Sequence, residues 1–387
     1  MSQTTLKLKQ LKPKTDVNNI ENLIRRMMQK HRTPFMLIKR STLEKQYQRF
    51  QKYLPNITPY FAIKAHPHPE IIKKFVRLGA CFDVASANEM KLVLSLGVSP
   101  TRIIFANTIK SHEDIICARR RRVRLMTFDN EPELYKIAKY YPKARILVRI
   151  KVKNVGSVVE LSLKFGADAE QACYLLRKAK TLGLIPMGVS FHVGSQSTNV
   201  ENYLQALEIT SRIFEEAKEI GISLKFVDIG GGFPIQHFDN EIGINFERMA
   251  SQIKQQQRAL FDRNVEFISE PGRFLVGPAG ILVTQVVGRT FRNNKNYYYL
   301  NDGIYGAFSG MVFDHCRYEF KTLRRGQKFL STLAGPTCDS FDTLSLNEEI
   351  PELYVGDVIY VKNIGAYSAA SAANCFNGFP PAKIIMV

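Results

Sequence analysis

No stretch of this chain approaches the ~18 unbroken apolar residues that a membrane-spanning helix needs. The first residues, MSQTTLKLKQLKPK, are polar and basic and lack the apolar core of a secretory leader. The six cysteines, at positions 81, 117, 173, 316, 338 and 375, include no C-x-x-C pair. That spacing speaks against a zinc or disulfide framework and for reduced thiols, so a cytoplasmic protein is expected. No internal repeat and no low-complexity tract is present. With 45% hydrophobic and 23% charged residues, the composition is that of an ordinary globular chain rather than a disordered one.

Acidic residues are also scarce. Asp and Glu number 35 against 54 Lys and Arg, a net charge of +19, and Arg119–Arg122 forms an unbroken basic run. Such a surface attracts polyanions. The run closes an amphipathic segment and carries no aromatic or glycine-rich platform. It is therefore read as a solvated basic face, and nucleic acid is not expected as a partner.

At ~150 residues per domain, 387 residues suggest two or three domains. From about residue 58 to residue 273 short apolar runs alternate with helical periodicity. TPYFAIKA (58–65) is rich in strand formers. PEIIKKFVRLG (69–79) has apolar residues at helical spacing and stops on glycine, and ANEMKLVLSLG (87–97) repeats that design. Eight strands are expected, starting near 58, 80, 102, 123, 145, 185, 224 and 265, with helices between them. Strand–helix alternation implies a parallel sheet, and eight units fit a closed (β/α)8 TIM barrel; an open doubly wound sheet is the alternative. Beyond residue 273 the pattern turns to strands with short connections: ILVTQVVGRTFR, NYYYLND, KFLSTLAG, DVIYVKNIG and AKIIMV. The expected α/β architecture is a barrel over 40–273 and a β-sandwich or β-barrel domain from 274–387. TPFMLIKR (33–40) reads as a further strand, which assigns residues 1–39 to that second domain.

Several residues with chemical capability fall just after the expected strands, where a barrel of this kind builds its site. Lys64 ends the first strand; an amine taken out of water there would have its pKa lowered and could capture a carbonyl as a Schiff base. His192 and Ser195, in F-H-V-G-S, follow the sixth strand. Gly230-Gly231-Gly232 follows the seventh and Glu270-Pro271-Gly272-Arg273 the eighth, the positions at which backbone N–H groups and an arginine can hold phosphate. In the β region, G-P-T-C-D sets the Cys338 thiol beside the Asp339 carboxylate.

These motifs, A-I-K-A, H-V-G-S, G-G-G-F-P, E-P-G-R and G-P-T-C-D, occur in an order that resembles the fold-type III decarboxylases that use pyridoxal 5′-phosphate (PLP), and within them the ornithine/lysine branch. The resemblance spans about residues 30–387 and implies an alanine-racemase-like barrel with a β domain. It implies that Lys64 holds PLP, that Glu270 pairs with the pyridine nitrogen and that His192 stacks on the ring. Asp83, Arg149, Ser195, Gly231, Gly232, Gly272, Arg273 and Tyr367 would complete the cofactor site. Ser195, Gly232, Arg273 and Tyr367 would lie at the phosphate. Cys338 would protonate the α-carbon after carbon dioxide leaves. Asp339 and Asp314 would bind the distal ammonium, with Asp342 adding charge nearby, and Phe376 and Asn377 would shape the pocket. In this family two subunits pair head to tail, so Cys338 and Asp339 would serve the other subunit's Lys64. The implied reaction converts L-ornithine to putrescine, or L-lysine to cadaverine, in polyamine biosynthesis. Two departures stand out: His66 where relatives often carry asparagine, and Gln196 where animal-type enzymes carry glycine. H-V-G-S-Q is shared with diaminopimelate decarboxylases. The same motifs leave room for a carboxynorspermidine decarboxylase, for a racemase on a related barrel, and for a non-catalytic homologue that only binds a partner.

Overall fold

The computed structural model describes residues 14–157, 164–238, 245–373 and 375–387. Eight strands close a parallel barrel: β2 (Ile57–Ala62), β3 (Cys81–Val84), β4 (Ile103–Phe105), β5 (Leu125–Phe128), β6 (Arg145–Arg149), β7 (Ile185–Ser190), β8 (Phe226–Asp228) and β9 (Glu266–Ser269). Closure is made by β2 against β9, with Ile57 opposite Phe267 and Pro59 opposite Ser269. Successive side chains alternate between the inside of the cylinder and the helical jacket, as the pleat requires. Tyr60, Ile104, Leu147 and Ile268 pack together within, while their neighbours Phe61, Phe105, Val148 and Phe267 join the main core under the helices. All eight expected strands are present, each within two residues of its expected start.

The second sheet has eight strands. Its path is β12 (Phe320–Thr322), β15 (Val358–Lys362), β10 (Gly280–Arg292), β11 (Lys295–Leu300), β13 (Lys328–Ala334) and β14 (Thr343–Pro351). In addition, β1 (Phe35–Ile38) pairs antiparallel with β10 and parallel with β16 (Lys383–Met386), so both chain ends enter one sheet. The 13-residue β10 serves two wings. Its first half pairs with β1 and β15, its second half with β11, and a bulge at Val286/Gly288 separates them. Two strands, β12 and β14, and the helix Lys14–Met28 were not expected from the sequence. That helix lays Ile20, Leu23, Ile24 and Met27 over Phe35, Leu37, Ile281 and Tyr360.

The C-terminal ends of the barrel strands are braced by polar side chains. Ser86 caps the helix Ala87–Ser95 by accepting from the Glu89 N–H, while Glu89 accepts from the Ala85 N–H at 2.7 Å. Lys110 is fully buried. Its ammonium donates to the carbonyls of Asn107, Thr108 and Thr127 and lies 3.1 Å from the buried Glu133. Burial pulls this amine down to about 8, against the opposing pull of Glu133. Replacing Lys110 by methionine leaves Glu133 with Lys136, 2.7 Å away, and the backbone N–H of residue 110, but removes the donor to the Asn107, Thr108 and Thr127 carbonyls and frees that turn. We expect a loss of ~2–3 kcal/mol of stability, read as a lower midpoint in urea unfolding. The Arg119–Arg122 run closes the helix His112–Arg120 and precedes β5, so it lies exposed at the N-terminal end of the barrel strands, away from these braced ends.

Candidate active site

A cavity of about 330 Å³ opens at the C-terminal ends of the barrel strands. Of the expected residues, Lys64, Arg149, His192, Ser195, Gly232, Glu270, Gly272, Arg273, Asp314 and Tyr367 line it. The first eight come from the barrel, at or just after the ends of its strands. Asp314 and Tyr367 come from the second domain, where the Tyr367 N–H donates to the Ala65 carbonyl at 2.9 Å and ties the two domains together beside Lys64.

Lys64 lies in a single turn that ends β2, and its Nζ donates to Asp83 Oδ2 on β3 at 2.9 Å. Asp83 is buried and its other oxygen has no partner. The sequence suggested an amine with lowered pKa. The structure corrects this: burial does act downward, but the charges of Asp83 and then Glu270 outweigh it and hold the ammonium above its ordinary range. His192 accepts the Gly194 N–H at Nδ1, 3.1 Å away, which leaves its ring proton on Nε2. Burial first, then the positive charges of Arg149 and Lys64, push its pKa well down, so the imidazole is neutral.

The glycine turn after β8 is packed too closely for side chains. A Cβ on Gly230 would lie 2.4 Å from the Phe191 carbonyl oxygen, and one on Gly232 would lie 2.3 Å from that of Gly194; both residues have positive φ. Gly231 sits against His192 Nε2, and the Tyr203 hydroxyl donates to its carbonyl at 2.8 Å. Glu270 follows β9. It is buried, its Oε1 has no partner, and burial together with Asp228 and Asp83 raises its pKa well above the usual carboxylate range. Arg273 donates to Cys316 Sγ, Ser195 Oγ and Asp314 Oδ2, lies 4.9 Å from the Tyr367 ring centre and keeps Nε unpartnered. Asp314 therefore sits against Arg273, at the end of the cavity expected to hold phosphate.

Cys338, Asp339, Phe376 and Asn377 do not line this cavity. They form a second group on the β domain. Asn377 Oδ1 accepts from the Cys338 N–H at 3.2 Å and from its thiol at 3.4 Å. Tyr305 donates to Asp339 and stacks on Phe376 at 4.1 Å. Asp342, expected to add charge beside Asp339, is instead turned inward. It is 2% exposed, and its oxygens accept the N–H groups of Ile304 and Thr337. Its charge is spent on holding the loop that carries Cys338.

The two departures also find places. The Gln196 side chain bonds both the N–H and the carbonyl of Ile235, bracing the loop after β7 to the loop after β8. The His66 ring is buried with neither nitrogen partnered, away from the cavity lining, and burial lowers it to about 4. Asn107, Phe165, Phe233 and Phe274 line the cavity without having been foreseen. Asp228, whose Oδ1 accepts the Gly230 N–H at 2.9 Å, was also missed; its signal was an acid two positions before the first glycine in V-D-I-G-G-G.

Residues 40–277 match the family model described as "Pyridoxal-dependent decarboxylase, pyridoxal binding domain". The chain is 41% identical to a lysine/ornithine decarboxylase of Selenomonas ruminantium over 354 residues, 92% of this chain and 89% of the relative. Among solved structures, lysine decarboxylase from Selenomonas ruminantium superposes with a TM-score of 0.91 at 40% identity, covering 95% of each chain. A lysine/ornithine decarboxylase from Vibrio vulnificus, complexed with putrescine, gives 0.89 at 34% identity, covering 97% of this chain and 99% of its own. The chain belongs to the pyridoxal-dependent decarboxylases, in their ornithine/lysine branch. It is an enzyme whose cofactor is PLP, and no described helix is long and apolar enough to cross a membrane.

The residues fit that cofactor. Lys64 is an amine on the cavity wall, Glu270 Oε1 is a buried acceptor with nothing to accept from, and Arg273 with the glycine turn offers donors for an anion. PLP supplies an aldehyde for amine capture and a pyridine ring that accepts the electron pair released by decarboxylation.

Proposed function

We propose that this enzyme removes the α-carboxylate of a basic diamino acid, L-ornithine or L-lysine, releasing carbon dioxide and putrescine or cadaverine for polyamine synthesis in the cytoplasm. The observation that carries the reading is one cavity holding an amine (Lys64), a buried unpartnered carboxyl (Glu270), a neutral imidazole (His192) and a guanidinium (Arg273). Lys64 would be the amine that holds the cofactor covalently. Glu270 would pair with the ring nitrogen, His192 would stack on the ring, and Arg273 with Ser195, Gly232 and Tyr367 would hold the phosphate. Asp83 orients Lys64, and Arg149 would add positive charge beside the cofactor.

Two copies of the chain are needed. Cys338, Asp339, Phe376 and Asn377 cluster outside the cavity, with Cys338 exposed and Asp339 half-buried. A head-to-tail dimer would bring them over the other copy's Lys64. The Asp339 carboxyl is held below its ordinary range by the Tyr305 hydroxyl and the Phe341 N–H, so it stays ionised to meet the distal ammonium. Asp314 would add its charge there only by exchanging Arg273 for the substrate. The Cys338 thiol, held by Asn377, delivers the proton that replaces the lost carboxylate on the α-carbon.

We expect Cys338→Ala to keep its cofactor but to lower kcat by ~10²-fold or more. Some turnovers should then release an aldehyde instead of the diamine. Product analysis by mass spectrometry checks this; normal yields of diamine would remove Cys338 from the mechanism. The substrate is tested by a panel of ornithine, lysine, arginine and meso-diaminopimelate on PLP-loaded protein with product identification. Release of putrescine or cadaverine supports the reading, whereas lysine formed from diaminopimelate overturns it.

A further inference from the structure

The end of the barrel opposite the cavity collects positive charge on one side. Arg119–Arg122 and Arg124 run from the end of the helix His112–Arg120 to the start of β5. Lys143 and Arg145 take the corresponding stretch between the helix Glu131–Tyr140 and the first residue of β6, and all seven cations are exposed. The two stretches lie side by side. The Arg145 N–H donates to the Arg124 carbonyl at 2.9 Å, and the Arg119 side chain reaches the Tyr140 carbonyl at 3.5 Å. No Asp or Glu occurs from 115 to 128 or from 134 to 150. Among the described residues none of the seven pairs with a carboxylate, whereas Arg49, Arg289 and Arg324 elsewhere on the surface do.

Sequence alone reads the arginine run as a solvated face. The C-terminal end of a helix favours a nearby cation, which accounts for Arg119 and Arg120. The backbone sets the rest apart. Four helix-to-strand turns of the barrel place glycine in the left-handed region: Gly79, Gly97, Gly183 and Gly221, at φ of 81°, 84°, 76° and 74°. At the matching turn before β5 the residue is Arg122, at φ 61°, and before β6 Lys143 adopts φ 63°. Glycine takes that conformation without steric cost and a long side chain does not. Both turns of this sector therefore carry a cation where the fold is better served by glycine, and each cation adds to the repulsion among its neighbours.

We propose that this patch is a docking surface for duplex nucleic acid, held by its phosphate backbone without reading of the bases. Six of the seven cations are arginines, whose planar forks suit phosphate oxygens. The one large aromatic or aliphatic side chain exposed between residues 115 and 150, Tyr135, is tied to Glu131 in the first half of its helix, away from the patch. The patch thus offers neither the stacking platform that single strands use nor the apolar side chains that enter a membrane surface. Arg145 and Arg149 stand at opposite ends of β6, the first in the patch and the second in the wall of the cavity, so a docked duplex leaves the active site open.

The test is fluorescence anisotropy on the full-length, PLP-loaded protein with labelled RNA and DNA duplexes of about 20 base pairs and unrelated sequences, from about 50 to about 300 mM salt. Binding should not depend on sequence, and its log–log salt slope should be about −6, the value for seven phosphate contacts. In the quadruple variant Arg121→Gln, Arg122→Gly, Arg124→Gln, Arg145→Gln, affinity should fall about 10²-fold or more and the slope should flatten by about 3 to 4, while decarboxylation is unchanged. A control that replaces four exposed cations at the N-terminal helix, Arg25, Arg26, Lys30 and Arg32, by glutamine should bind as the wild type does. If the quadruple variant does not fold, Arg122→Gly alone decides the matter. Glycine eases that turn, so the unfolding midpoint should hold or rise while duplex affinity falls about fivefold. An equal loss in the control variant would overturn the proposal, since bulk charge would then explain the binding. Tighter binding to vesicles of phosphatidylserine and phosphatidylcholine than to either duplex at the same salt would overturn it in favour of a membrane.

Discussion

Replacing Lys64 by arginine is expected to leave a folded protein without measurable decarboxylation, a loss on the order of 10³-fold or more, the scale at which removal of a covalent group acts. Among the described residues lining the cavity, Lys64 is the only primary amine; the other cations there, Arg149 and Arg273, are guanidiniums. A guanidinium stays protonated and cannot condense with an aldehyde at working pH. Arginine is the informative choice because Asp83 is buried, with one oxygen already unpartnered and the other held by Lys64. Lys64→Ala would strand that carboxylate and lose stability as well as activity. Arginine keeps a cation beside it, so the comparison separates the chemical loss from the structural one. Turnover measured on folded Lys64→Arg protein decides the matter, and retention of even a tenth of wild-type activity would remove Lys64 from its role.

Glu270→Gln is expected to cost ~10²–10³-fold in kcat. Glutamine fills the same volume but has no proton to give and no charge with which to hold a protonated ring. Stability should move the other way. Glu270 and Asp228 are both buried, and their pKa values are raised, that of Asp228 to about 6. A carboxyl whose folded value is raised binds protons more tightly folded than unfolded. Its contribution is therefore full at pH below the unfolded value and is lost as pH rises through the folded one. The cofactor-free wild type should lose stability on going from pH 5 toward pH 8, and Glu270→Gln should lose less. Chemical denaturation of both proteins across that range checks the sign; parallel curves would mean that the pair carries no proton.

The barrel was legible because its strands are buried on both faces and read as continuous apolar runs, such as Ile103–Phe105 and Ile146–Val148. The strand β14 was not, because Leu346, Asn347 and Glu349 face solvent and break any period in its middle. The helix Lys14–Met28 carries its apolar residues on one face only, and nothing local says that this face covers a sheet. At the site, residues at strand ends were legible by position: Lys64, His192, Glu270 and Arg273 all reach one cavity. Loop carboxylates were not. Asp339 and Asp342 are three residues apart, yet one stays half-exposed and takes the Tyr305 hydroxyl while the other is buried on the N–H groups of Ile304 and Thr337. Asp314 sits on Arg273 because a carboxylate and a phosphate compete for the same guanidinium, a preference that sequence spacing does not express. The expectation of a lowered amine at Lys64 failed for a similar reason, since the Asp83 carboxylate that reverses the shift lies on the neighbouring strand.

The most direct test of the account is to load the protein with PLP, reduce it with borohydride to fix the bond between carbonyl and amine, and map the labelled peptide by mass spectrometry. The account predicts a single pyridoxyl label on Lys64, in the segment Tyr60–Pro67. A label on any other lysine, or none in a protein that still decarboxylates, would contradict it.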